Sequence, residues 1–103
     1  MRGMNEMVRQ AQLMQKKISK AQEELKTREV EASAGGGMVT VKANGAQEIL
    51  DVKIEPQIFE GGDAEMLQDL VLAAVNEALR QAKDMMEREM SQITGGLSIP
   101  GLM

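Results

Sequence analysis

The sequence contains few of the side chains that usually carry out catalysis or hold metal ions. It has no Cys and no His, and Phe59 is its one aromatic residue. The lack of Cys excludes a disulfide, a thiol nucleophile and a Cys-ligated zinc site, and the lack of His removes the commonest general base. A single aromatic residue cannot form a stacking platform for bases. We therefore expect no enzyme active site, no metal centre and no cofactor.

Three other residue groups could carry chemistry, and each has a simpler explanation. The glycines 35–37 lack the spacing of a phosphate-binding loop and lie between two predicted strands, so a turn explains them. The ten Met residues could supply thioether ligands to copper(I), but they fall on helical stripes, where Met fills packing gaps. Carboxylate pairs such as Glu23 and Glu24 lack a calcium-binding loop and are explained as solvated helix faces.

The positive charge is concentrated in the first 28 residues. Seven basic and three acidic residues give that segment a charge of +4, although the whole chain carries −4. A basic helix can neutralise phosphates and release counterions, whereas the alternative is a solvated helix face. Arg2, Arg9 and Lys16 are seven residues apart, and no acid interrupts the run from Arg9 to Lys20. Our candidate phosphate-binding residues are Arg9, Lys16, Lys17 and Lys20, with Arg2, Lys83 and Arg88 as further candidates.

A long helix over residues 4–27 must position these cations. Apolar residues recur three and four apart from Met4 to Leu25, which forms a heptad seam over three repeats. A seam of two positions in seven is narrow, so we expect a helix that is only partly buried.

Residues 28–55 change to a period of two, which predicts a three-stranded antiparallel meander. Val39, Val41 and Ala43 share one face of the second strand, and Leu50, Val52 and Ile54 share one face of the third. Asn44-Gly45 predicts a hairpin turn, since both residues tolerate a positive φ.

A second long helix is predicted over residues 64–94, with Asp63 as its N-cap and Gly95-Gly96 at its end. Its apolar residues form two stripes, and one stripe suffices to cover the sheet. The second stripe, which runs from Leu72 to Ile93, favours a partner chain as its neighbour. The fold class is therefore α+β, with a single domain over residues 1–96 and a flexible tail over 97–103.

The meander and the second helix together resemble a known family. The run Gly37–Gly45, the strand Ile49–Pro56 and the helix segment Asp69–Leu79 are similar to the YbaB/EbfC family of bacterial nucleoid-associated proteins. The resemblance covers residues 1 to about 96. It implies an intertwined homodimer that binds double-stranded DNA, with roles in nucleoid organisation and gene regulation and with weak sequence preference.

The expected location is the cytoplasm, since no apolar run approaches a membrane span and the first residues lack a signal peptide. The resemblance implies the nucleoid within it. An alternative function is a protein-interaction module supporting recombination or replication factors, because Met-rich surfaces suit adaptable binding. Neither function requires a membrane or a small-molecule substrate.

Overall fold

The computed structural model describes the backbone of residues 2–95 and the side chains of residues 3–95. The predicted order of helix, three strands and helix is confirmed, and a short 3-10 helix precedes the last element. The predicted tail over residues 97–103 lies outside the described residues. The elements are α1 (Arg2–Leu25), β1 (Glu29–Ala34), β2 (Val39–Asn44), β3 (Ile49–Ile54), the 3-10 helix (Pro56–Phe59) and α2 (Ala64–Thr94).

The three strands form an antiparallel sheet in the order β1-β2-β3. As the alternation predicts, Val39, Val41 and Ala43 of β2 are completely buried. They pack beneath α2, whose Ala74 and Ala78 are also completely buried. Small side chains on this face of α2 let the helix lie close to the sheet, and the main core is therefore the layer between α2 and the first two strands.

A bulge alters the predicted face of β3. Lys42 pairs with Asp51, but the next residue, Ala43, pairs with Ile49 and not with Leu50. The predicted set of Leu50, Val52 and Ile54 is therefore interrupted, because a bulge inserts one extra residue and changes which side chains share a face.

The second helix begins and ends as its sequence predicts. The Asp63 carboxylate accepts a hydrogen bond from the Met66 backbone N–H at 3.0 Å, which satisfies one of the free donors of the first turn. Gly95 ends the helix in the left-handed conformation at φ 64°.

The long helix α1 has a packed half and an uncovered half. Its C-terminal residues Ala21 and Leu25 are buried against Met90 of α2, with Ile18 and Met86 packed around them. Towards the N-terminus the seam is exposed, with Met4 65 % and Met7 71 % accessible to solvent. The prediction of a partly buried helix is confirmed.

Most of the second apolar stripe of α2 is covered by elements of the same chain, although its periodicity favours a partner chain. Ala82 lies in the core under the sheet, and Met86, Met90 and Ile93 pack against α1. Leu72, at 61 % exposed, is the member that remains uncovered. The stripe is divided between two neighbours within the same chain, which helical periodicity alone does not reveal.

None of the helices within residues 2–95 combines the length and apolar character that a bilayer-spanning segment requires.

Candidate nucleic-acid interface

Four of the candidate cations lie on the solvent side of α1. Arg9, Lys16, Lys17 and Lys20 are all exposed, and we refer to these four residues as the basic face. Arg9, Lys16 and Lys20 fall opposite the packed residues Ile18, Ala21 and Leu25 when the helical period of 3.6 is applied, and Lys17 falls to one side. Arg2 begins the same helix, but its side chain lies outside the described part of the chain.

The basic face also lacks carboxylate partners. Among residues 3–95, no carboxylate oxygen lies within 4.0 Å of the charged nitrogens of the basic face. The ion pair nearest in sequence joins Lys26, one residue beyond α1, to Glu23 at 3.5 Å, beyond the end of the basic face. These cations are therefore available to an external anion without first breaking an internal pair.

The cations of α2 have a different environment. Arg80 donates from Nε to Glu77 at 3.0 Å and from Nη1 to Asp84 at 2.9 Å. The hydrogen bonds that Glu77 accepts, first from Arg80 and then from Gln81, lower its pKa from 4.5 to about 2. Lys83 lies 3.9 Å from Glu87, so it too has a partner of opposite charge.

Arg88 lies in an open cleft between α2 and the start of β1. The cleft has a volume of about 590 Å³ and is also lined by Arg28, Arg80, Asp84 and Glu89. Arg28 donates to Glu89 at 3.2 Å, which offsets part of the positive charge. Arg88 therefore lies beside Arg28 and Arg80 in this cleft and does not contribute to the basic face of α1.

Sequence reasoning did not select Arg28 as a site residue. It lies just after α1, outside the helical period, and the other charged residues of the cleft, from Arg80 to Glu89, are 52 or more positions away along the chain. No local spacing connects these residues. Within the described residues, no three acidic side chains lie close enough together to form a metal site.

Comparison with known proteins places this architecture in a family. The model of the YbaB/EbfC DNA-binding family matches residues 1–97. The chain belongs to the YbaB/EbfC DNA-binding family. The resemblance noted from the meander and the second helix is thus confirmed over nearly the whole chain.

Several relatives of this YbaB/EbfC chain are named nucleoid-associated proteins. One from Acetivibrio thermocellus is 57 % identical over 101 residues, which cover 97 % of this chain and 89 % of the relative. One from Moorella thermoacetica is 55 % identical over 101 residues, with 98 % and 97 % covered. One from Alkaliphilus metalliredigens is 52 % identical over 100 residues, with 97 % and 88 % covered.

A solved structure has the same fold. The crystal structure of the uncharacterized protein HP0035 from Helicobacter pylori matches with a TM-score of 0.79 at 26 % identity, over 86 % of this chain and 94 % of that one. The YbaB/EbfC family is a family of nucleoid-associated DNA-binding proteins, and this chain has its α+β fold.

Proposed function

We propose that this chain is a homodimeric nucleoid protein that binds duplex DNA through the basic face of α1. Its roles would be nucleoid organisation and gene regulation in the bacterial cytoplasm, without an enzymatic step. The observation that carries the proposal is the basic face itself, which is exposed and without carboxylate partners among residues 3–95. Three of its four cations lie opposite the packed side of α1.

The dimensions of the basic face suit a nucleic-acid backbone. From Arg9 to Lys20 the helix rises about 17 Å, at ~1.5 Å per residue. Duplex DNA presents one phosphate charge about every 1.7 Å of its axis, so several phosphates lie within that length. Exposed lysines and arginines attract such charges with little regard to base sequence, and base contacts are required for sequence readout. We therefore propose binding governed by phosphates and sensitive to salt.

The homodimer is supported by apolar residues that one chain leaves uncovered. The helix α2 lies over β1 and β2, while Ile49, Leu50 and Val52 of β3 are 39–47 % exposed. Leu72 of α2 is also exposed. Val52 pairs with the buried Val41, so its side chain is on the face of the sheet that α2 covers. A second copy that lies against β3 would complete the layer and would present two basic faces to one duplex.

A protein-interaction module is the second candidate, and one observation favours it. Met4 and Met7 extend the seam of α1 beyond the part that α2 covers, and both are exposed. Met side chains adapt to irregular partner surfaces, so this end of α1 could bind a recombination or replication protein.

Titration of isotopically labelled protein with a short duplex distinguishes the two candidates. Binding through the basic face should shift the backbone amide resonances of residues 9–20 at low salt, and the shifts should diminish as salt is added. The turn at Gly61 should be unaffected and serves as an internal control. An absence of shifts in α1 at low salt would overturn the proposed function and would leave the protein-interaction module as the better candidate.

A further inference from the structure

The base of α1 is tied to the β2-β3 turn by hydrogen bonds. The Gly45 N–H lies 2.9 Å from the Leu25 carbonyl oxygen and 3.0 Å from that of Arg28. The Asn44 amide donates from Nδ2 to the Lys26 carbonyl at 3.3 Å. The carbonyl of Leu25, the last residue of α1, and those of two residues just beyond it are therefore held by a turn that is about 20 residues distant in sequence.

We refer to these hydrogen bonds from Gly45 and Asn44 as the tie. Asn44 connects the tie to the interior of the turn. Its side chain is buried, and Nδ2 also donates to a Glu48 carboxylate oxygen at 2.9 Å. Its Oδ1 accepts from the backbone N–H groups of Ala46 and Glu48, each at 3.0 Å. A single side chain thus fixes the shape of the turn and the position of the helix end.

Gly45 is required at this place by contact and not by its φ angle. The sequence predicts a positive φ for Asn44 and Gly45, but in this turn the residue with positive φ is Gln47, at 62°. A Cβ added to Gly45 would lie 2.8 Å from the backbone oxygen of Leu25 and 2.7 Å from its Cδ2. The predicted turn is confirmed, but the predicted positive φ at Asn44 and Gly45 is wrong.

The side-chain packing between α1 and α2 defines the direction of α1 less strictly than the tie does. Three of the α2 residues in that contact are Met85, Met86 and Met90. Met has three rotatable bonds and accommodates small displacements of a neighbour. Backbone hydrogen bonds and a contact that leaves no room for a Cβ tolerate much less displacement.

We propose that Asn44 and Gly45 are positioning residues that orient the basic face towards DNA, a role that rests on the proposed function. The helix acts as a lever with its fixed end at Leu25. Arg9 lies 16 residues from Leu25, which is about 24 Å along the helix. A tilt of ~10° at the base would therefore move Arg9 by about 4 Å, whereas hydrogen-bond distances vary by only ~0.5 Å.

Two variants break the tie in different ways. Gly45→Ala places a methyl group against the Leu25 carbonyl and leaves every charge in place. Asn44→Asp keeps the Oδ1 acceptor for the turn, but it replaces Nδ2, the donor to both the Lys26 carbonyl and the Glu48 carboxylate, with an oxygen. The second variant is available if the first does not fold.

Each variant has a matched control. Gly61→Ala adds the same methyl group where the nearest atom is 4.0 Å away. Gln47→Glu adds one negative charge in the same turn, where Gln47 is exposed.

The experiment measures helix direction and DNA binding on the full chain. Since the sequence has no Cys, spin labels can be attached at Gln12→Cys and Lys53→Cys, and excess unlabelled chain isolates the distance within one protomer. Residue 12 lies 13 residues, or about 20 Å, from Leu25, so a tilt of ~10° in either tie variant should shift or broaden that distance by about 3 Å. The slope of log K against log salt should fall by about 0.9 for each phosphate that the helix no longer neutralises, although no cation is removed.

The outcomes separate positioning from stability. A variant with a lower melting temperature but an unchanged distance and salt slope would overturn the positioning role, because the tie would then only stabilise the fold. Failure of the unmodified chain to bind duplex DNA would overturn the proposed function and this role together. A change in the spin-label distance of the control variants equal to that in the tie variants would also contradict the positioning role.

Discussion

At the scale of single residues, the cations of this protein differ mainly in their partners. Arg80 is held between Glu77 and Asp84, and Arg28 donates to Glu89. The basic face has no such contacts among the described residues, and its lysines differ from Arg80 in that respect rather than in exposure. The sequence shows both features, since no acid interrupts the run from Arg9 to Lys20, whereas Glu77 and Asp84 lie three and four positions from Arg80 on the same helix.

The Glu77–Arg80 pair makes a prediction about acid stability. Because the folded-state pKa of Glu77 is lowered from 4.5 to about 2, mainly by its hydrogen bond from Arg80, the charged form stabilises the fold. That contribution is fully present above the unfolded pKa and is lost as the pH falls through about 2. We expect Glu77→Gln to lower the melting temperature slightly at pH 7, and the difference from the unmodified chain should vanish as the pH approaches 2.

Thermal unfolding followed by circular dichroism between pH 2 and pH 7 checks this prediction. Glu60→Gln is the control, since Glu60 is exposed and has no salt bridge among residues 3–95. A difference for Glu77→Gln that stays constant across the whole range would show that the pair does not form in solution.

At the scale of elements, local pattern predicted the type and order of the two long helices and the three strands. The alternation in β2, the Asp63 cap and the terminal Gly95 all act through neighbouring residues, so they can be recognised in sequence. The bulge between Lys42 and Ala43 and the close approach of Gly45 to Leu25 depend on contacts between distant segments. Local pattern carries no information about such contacts. It therefore did not predict the bulge, and it explained Gly45 by a positive φ instead of by its contact with Leu25.

The two stripes of α2 show the same limit. Periodicity shows which side of α2 is apolar, but it does not show whether the sheet, α1 or a second chain covers each part of that side. The helix α1 covers Met86 and Met90, while Leu72 lies at the other end of α2 and has no comparable neighbour. A second copy is therefore supported by Leu72 and the exposed apolar residues of β3 rather than by the long stripe.

The uncovered strand β3 allows a direct test of the proposed homodimer. Val52→Lys should leave the single chain folded, because Val52 is already 43 % exposed, but it would bury a charge in a dimer. We expect the mass from sedimentation equilibrium to fall from twice 11.2 kDa for the unmodified chain towards 11.2 kDa for the variant.

Lys53→Gln is the control for that experiment, since Lys53 is the next residue in β3 and lies on the opposite face of the sheet. It should leave the mass unchanged. A mass of 11.2 kDa for the unmodified chain at micromolar concentration would contradict the homodimer, and a dimer unaffected by Val52→Lys would place the interface elsewhere.

At the scale of the whole molecule, the distribution of charge matters more than its sum. The chain carries −4 in total, yet its basic face projects on a helix of 24 residues away from the acidic remainder. The molecule extends 73 Å in its longest dimension and only 22 and 16 Å in the others. At physiological salt the screening length is about 8 Å, so a phosphate at the basic face would be affected mainly by nearby cations.

The salt dependence of duplex binding, measured by fluorescence anisotropy, tests the central claim most directly. The pair of changes Lys16→Gln and Lys20→Gln removes two charges from the basic face, while Lys42→Gln and Lys53→Gln remove two from exposed positions on the sheet. The first pair should reduce the slope of log K against log salt by about 0.9 for each phosphate left without a cation, and the second should leave it unchanged. Equal slopes for the unmodified chain and the Lys16/Lys20 variant would contradict the assignment of DNA binding to α1.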